Sequence, residues 1–364
     1  MANLSKITDM KFKALLYFFI VFFVFFLQIN AGAEEDSGQK NLKKRIMDIE
    51  KRIQELNKKT PETEDKKKFI SGENQYEKLL SAAGKNYSLR PSGIFGLDYI
   101  FEYKGHSHNQ IQQAEESGTH FEKKPVHTLI NKFSIEYPVK DNISFVMDMP
   151  FVKIHDNYQG KKIDMEDFGD PYMCLLYQPF MKSSKFPEII ISAGVTFPMG
   201  RSPYDINPQT EFPTGDGVYK FNLGLNLSRQ IDPVLVFGGF FYSYKLNKKN
   251  LSYKNTVFLG EAGEFLKKVK PGDEAGFNAG LGYVISENVS ISLGLKFLYN
   301  FPSEYYWRGR GKRVSSSASE STLFMGTSWQ ITEKRKIYMA LGAGLTNNDD
   351  NLNFTLRIPF NFIL

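Results

Sequence analysis

The chain has 364 residues, a mean hydropathy of −0.35 and an unusually aromatic composition, 15% with 32 Phe and 19 Tyr, which suits a large β domain whose strands alternate between apolar and polar faces. A net charge of +6 with no basic stripe argues against nucleic acid as a partner. The single cysteine, Cys174, excludes an intrachain disulfide and a multi-thiolate zinc site.

Lys6, Lys11 and Lys13 precede the apolar run ALLYFFIVFFVFFL at 14–27, and small residues follow at Ala31 and Ala33. This is the build of a secretory signal peptide, with cleavage expected after Ala33. The run is shorter than the ~20 residues of a spanning helix, and Glu34, Glu35 and Asp36 follow directly. Residues 1–33 are therefore assigned to a signal peptide. No later stretch reads as a membrane helix, so any further membrane contact must be made by strands.

Leu42, Ile46, Ile49, Ile53 and Leu56 fall at spacings of 4, 3, 4 and 3, an a/d seam with charged flanks. Residues 34–60 are expected to form an amphipathic helix or a short coiled coil, and 42–56 would be the route to a homo-oligomer. Residues 61–90 are polar, carry Pro61 and read as a linker.

From residue 91 the apolar alternation of a two-sided strand recurs twelve times. Phe95, Leu97, Tyr99, Phe101 and Tyr103 open the series; Leu352, Phe354, Leu356, Ile358, Phe360 and Phe362 close it. Each segment is roughly 9–14 residues long, the length of a tilted strand crossing a bilayer. The connections between segments alternate long and short, apart from the last, NNDD (347–350), which is short where a long one is due; this is the pattern of outer-membrane barrels, whereas a sandwich has no reason to sort its loops this way. Tyrosines near segment ends, among them Tyr137, Tyr177, Tyr219, Tyr244, Tyr283 and Tyr299, suit interfacial girdles. The prediction is an all-β fold: an antiparallel transmembrane up-and-down barrel of about twelve strands over 91–364, in the Gram-negative outer membrane, with the N-terminal segment in the periplasm.

Three stretches, FGDPYMCLLYQPF (168–180), PEIIISAGVTFPMGRSP (187–203) and FPTGDGVYKFNLGLNLSRQIDPVLVFGGFFYSY (212–244), resemble the outer-membrane family of the MetA pathway of phenol degradation. The shared elements are Gly169 and Asp170 opening a strand, Pro198 and Gly200 closing one, and Thr214, Gly215 and Gly217 before the next. The resemblance implies a transporter-type barrel importing phenolic or other small organic compounds.

The polar faces of the strands place Lys132, Glu136, Asp148, Asp170, Lys220, Asn222, Lys296 and Arg357 as candidates to line a water-containing lumen, where they would set selectivity or pair with one another. No catalytic residue is assigned: a pairing of His127 with Ser144 lacks a third group. No cofactor is expected, and the histidines around the first long loop, His106, His108, His120 and His127, read as surface residues without a metal. The basic, aromatic stretch YYWRGRGKR (305–313) reads as an outer loop facing lipopolysaccharide. The expected partners are outer-membrane lipid and lipopolysaccharide, a small-molecule solute and, from the aromatic C-terminal strand, the barrel-assembly machinery. The expected function is a passive channel for small organic, including aromatic, solutes. The rival reading is a structural or adhesive surface barrel with long binding loops and a closed lumen.

Overall fold

The computed structural model describes residues 87–363 apart from 115–117, 159–160, 181–186, 207–210, 232, 255–264, 309–310, 333–334 and 347–349. The expected signal peptide, the helix or coil of 34–60 and most of the linker lie outside the described residues.

Seventeen strands are described. Those before residue 200 are β1 (Ile94–Ala114), β2 (Gly118–Lys140), β3 (Ile143–Tyr158), β4 (Lys161–Phe168), β5 (Tyr172–Tyr177) and β6 (Glu188–Thr196). The middle of the chain supplies β7 (Lys220–Ile231), β8 (Val234–Lys245), β9 (Lys248–Lys254), β10 (Phe265–Lys270), β11 (Glu274–Val284) and β12 (Val289–Asn300). The last are β13 (Glu304–Arg308), β14 (Gly311–Val314), β15 (Ala318–Thr332), β16 (Arg335–Gly344) and β17 (Leu352–Ile363).

Twelve of them form one antiparallel ring: β1, β2, β3, β5, β6, β7, β8, β11, β12, β15, β16 and β17. These are the twelve segments read from the alternation. The ring closes through β1 and β17, paired from Ile94↔Ile363 to Gly105↔Leu352. The barrel has no open edge, which lets every wall strand satisfy its backbone inside a bilayer.

The pleat sorts the side chains. Leu293 and Leu223 point outward, 55% and 60% exposed, while Ser292 and Ser134 point inward and are 2% and 1% exposed. An apolar belt on the outside and small polar residues inside is the reverse of a soluble β domain, and lipid is the medium that pays for it. Tyr283 and Ala275, the latter paired with Tyr299, lie eight residues apart on β11. That is roughly 27 Å along the strand, or about 21 Å after a ~40° tilt, close to the apolar height of such barrels. One polar side chain on the belt, Asn131, accepts a hydrogen bond from the Tyr99 hydroxyl at 2.7 Å.

The long connections differ from the expected loops. β1 and β2 run on together past the girdle to the pair Ala114↔Gly118. β4 adds to the extended end of β3. The connections after β8 and β12 fold together as a separate four-stranded sheet, ordered β14, β13, β10, β9. Backbone polar groups beyond the membrane are thus paired with one another.

Candidate functional site: the barrel lumen

The residues just before β1 lie inside the barrel, although sequence reasoning counted them as linker. Tyr87, Leu89 and Arg90 each anchor on a different sector of the wall. Tyr87 packs on Leu235 and Phe237 of β8, with Val284 and Phe324 alongside. Leu89 packs on Val146, Cys174, Leu176 and Ile190, beside Tyr172. Cys174 is therefore inward-facing and is buried packing for Leu89.

Arg90 faces β1, β2 and β17. Its guanidinium pairs with Asp98 at 2.6 Å and with Glu136, and its Nε donates to Asn361 at 2.9 Å. The side chain is 11% exposed, that of Asp98 1% and that of Glu136 3%. Two carboxylates at that depth require a cation between them, and the planar fork of arginine reaches both. Gly96 makes the room: a Cβ there would fall on the guanidinium. The chain then leaves the lumen through a tight turn, with the Ile94 amide donating to the Pro91 carbonyl at 3.2 Å and Gly93 at a φ of 81°. Ser92 ties that turn to Asp141, beyond the end of β2.

The seat of Tyr87 is built by glycine. Phe237, Gly280, Gly294 and Phe324 form one row across β8, β11, β12 and β15. Both phenyl rings lie over the glycines, where a Cβ would strike them, with centroids 6.4 Å apart. Tyr87 meets the Phe237 ring edge-on at 5.2 Å and 63°. Its hydroxyl donates to Asn278 Oδ1 at 2.7 Å. A hydroxyphenyl group is thus held in the lumen by two aromatic rings, a glycine floor and one amide oxygen.

Above this closure the candidate residues separate into groups. Lys132, Asp148, Lys296 and Arg357 come together: Lys132 pairs with Glu102 at 2.8 Å, in electrostatic reach of Asp148 and Arg357, and Lys104 and Lys296 reach the same Glu102. Ser134 donates to Asp148, and Arg357 stacks 4.1 Å over the Tyr338 ring. Nearer the long connections, Lys220 pairs with Asp216, and Asn222 donates to Thr196 at 3.0 Å while accepting from Ser243 at 2.6 Å. Glu136 belongs instead to the Arg90 closure.

Asp170, in electrostatic reach of Lys220, is committed to backbone. Its two carboxylate oxygens accept the Gly200 and Asp216 amides at 2.9 and 2.6 Å, clamping the connection after β6. A Cβ at Gly200 would strike the Gly215 backbone, and one at Gly215 would strike the Asp170 carboxylate. Ser144 and His127 do not meet: Ser144 is buried inside, while His127 faces outward with its Nδ1 2.8 Å from the Tyr103 hydroxyl. Among the described residues no group of three His, Cys, Asp or Glu side chains is placed to hold a metal ion.

Sequence reasoning missed Tyr87, Leu89 and Arg90. The available signal was the alternation of Tyr87 and Leu89 just before Arg90-Pro91, inside a polar stretch, together with the acid Asp98 on the inward phase of β1.

No family model matches the chain. Among solved structures, an outer membrane channel from Pseudomonas putida F1 superposes with a TM-score of 0.59 at 12% identity, covering 76% of this chain and 98% of that one. The translocator domain of the autotransporter NalP from Neisseria meningitidis gives 0.47 at 9% identity, covering 80% and 96%. The KdgM porin gives 0.37 at 9% identity, covering 73% and 99%. The first likeness shows that the chain has the fold of an outer-membrane-type barrel.

Proposed function

We propose that this chain is an outer-membrane channel for small organic solutes, aromatic ones included, and that Tyr87–Arg90 is its gate. The short turns and the N-terminal segment would lie in the periplasm, with 1–33 removed on export. The observation that carries the reading is that one short chain segment, Tyr87–Arg90, stands inside the lumen and touches separate sectors of the wall. Away from the apolar seats of Tyr87 and Leu89 the inward wall carries small polar residues such as Ser134, Ser228, Ser290 and Ser292, which support a passage once the segment leaves. The Tyr87 seat supports aromatic solutes, because a flat ring with a hydroxyl fits the surface that Tyr87 occupies. The resemblance to the phenol-degradation family points the same way. Lys132, Asp148, Lys296 and Arg357, with Lys220 and Asn222 beyond, would meet a solute before it reaches the gate and act as the selectivity residues.

A closed surface barrel is the second reading, and the segment inside the lumen is what favours it. Liposome swelling and planar-bilayer recording separate the two. Channel function predicts entry of small aromatic solutes, rising in a Tyr87→Ala, Leu89→Ala double variant. A folded barrel that passes no small solute in either form would refute the channel and leave the surface role.

A further inference from the structure

The sheet formed by β9, β10, β13 and β14 carries more positive charge on one face than its own acids can offset. Lys249, Lys268, Tyr306 and Lys312 stand directly opposite one another in a row across all four strands. Lys249 and Lys268 are a like-charge cross-strand pair, an arrangement that costs stability without a counterion. Lys268 and Lys270 bring their ammonium groups to 5.1 and 5.9 Å from the same Tyr306 ring. Among the described residues the acid on this face is Glu304, shared by Lys270 at 3.1 Å, Lys312 at 2.6 Å and the Tyr306 hydroxyl at 2.5 Å. Those three partners, Lys312 first, hold its carboxyl down at about 2. Among the described residues four lysines thus face one committed carboxylate.

The opposite face is spent on the protein itself. Leu266 and Val269 are buried, and Lys248 turns to Ser202 and Asp205, both at 3.0 Å, in the connection after β6. The cationic face therefore looks away from that connection. Beneath it a cleft of about 430 Å³ runs from Tyr242, Tyr244 and Phe301 to Lys270 and Glu304. Tyr242 and Tyr244 belong to the outward phase of β8, so the cleft begins at the aromatic girdle and ends at the lysines. Lys249 follows Tyr244 by five residues, at most about 17 Å along the chain.

We infer that this cleft and the lysine row dock lipopolysaccharide of the surrounding leaflet: its phosphorylated sugars on Lys268, Lys270 and Lys312, its acyl-proximal sugars against Tyr244 and Phe301. Charge complementarity selects a phosphorylated ligand, and the distance from the girdle selects one anchored in the membrane over a free polymer. The inference rests on placement in the outer membrane and not on solute conduction.

The test uses the full chain, purified in detergent free of lipopolysaccharide. Binding is measured to a short-core lipopolysaccharide, to the same material dephosphorylated, and to dextran sulfate. The phosphorylated form is expected to bind in a salt-dependent way. Lys268→Gln, Lys270→Gln, Lys312→Gln together are expected to weaken it at least about tenfold, the loss of one or more charge-assisted hydrogen bonds. Channel conductance should not change in that variant, which keeps this result separate from the channel reading. Equal affinity for the dephosphorylated form would overturn the inference, and that comparison needs no variant. So would undiminished binding by a folded lysine variant, or dextran sulfate binding as tightly as lipopolysaccharide.

Discussion

Replacing Arg90 with alanine removes the cation between Asp98 and Glu136 while the docked segment still covers both acids. Undocking returns the two carboxylates to water, so the penalty falls on the docked state alone. Breaking a buried ion pair by deleting one partner costs about 3–5 kcal/mol, and each ~1.4 kcal/mol is tenfold in an equilibrium. The docked-to-undocked ratio should therefore fall by roughly two to three and a half orders of magnitude. In planar bilayers, Arg90→Ala is expected to raise open probability sharply over the parent protein, while heat-modifiable migration shows that the barrel has folded. Adding Asp98→Asn and Glu136→Gln to Arg90→Ala removes the stranded charge, and Tyr87 and Leu89 should then pull the segment back and lower the open probability again. Arg90→Lys should fall between, since an ammonium cannot fork to both acids. A folded Arg90→Ala barrel no more open than the parent would refute the electrostatic latch; a triple variant as open as the single one would show that the exposed charge was not the cause.

Gly96→Ala places a methyl group where the guanidinium lies; overpacking of about 1–3 kcal/mol should give the Arg90→Ala phenotype in weaker form, read in the same recordings. Leu295, on the outward belt opposite Ala279, is at mid-height, so Leu295→Arg should cost about 2–4 kcal/mol in refolding from urea into lipid. The inward Lys296→Glu, one position along, should cost no more than about 1 kcal/mol; equal costs would mean the faces are assigned the wrong way round. Glu304, with its pKa depressed to about 2, lends the outer sheet stability that is present above the ordinary carboxylate range and is lost as pH falls towards 2. Trp307 fluorescence in a Trp329→Phe background should follow that loss, and a transition centred at the ordinary glutamate value would contradict it.

The wall of the barrel was legible in the sequence because a strand's two faces meet two different media. Each outward residue meets lipid and each inward one meets water or a polar neighbour, so Leu352, Phe354 and Leu356 had to alternate with Asn353, Thr355 and Arg357. Connection length then fixed the two ends, and all twelve wall strands followed from local periodicity. The outer sheet was less legible. Stretches such as Lys248–Lys254 and Gly311–Val314 are too short and too charged to carry a period, and they become strands only as the edges of a sheet whose inner strands, β10 and β13, come together from separate connections.

The site divides along the same line. Lys132, Asp148, Lys296 and Arg357 could be assigned to the lumen from their phase on the strand. Their grouping around Glu102 needed the barrel to close, since β12 lies far from β2 in the chain. Asp170 shows the limit: it stands next to a strand of the right phase, yet two backbone amides from a connection some thirty residues on take both its oxygens. The N-terminal segment was barely legible for a deeper reason. Tyr87, Leu89 and Arg90 belong to no recurring period, and one short alternation inside a polar stretch does not say what it would pack against. Only the assembled wall, with its glycine row beneath Phe237 and Phe324 and its two inward acids beside Gly96, supplies the cavity and the counter-charge that hold them. The sequence alone therefore determined a closed barrel and the direction each residue faces, because those follow from nearest neighbours and solvent; what fills the lumen was decided by contacts among strands that are distant in the chain.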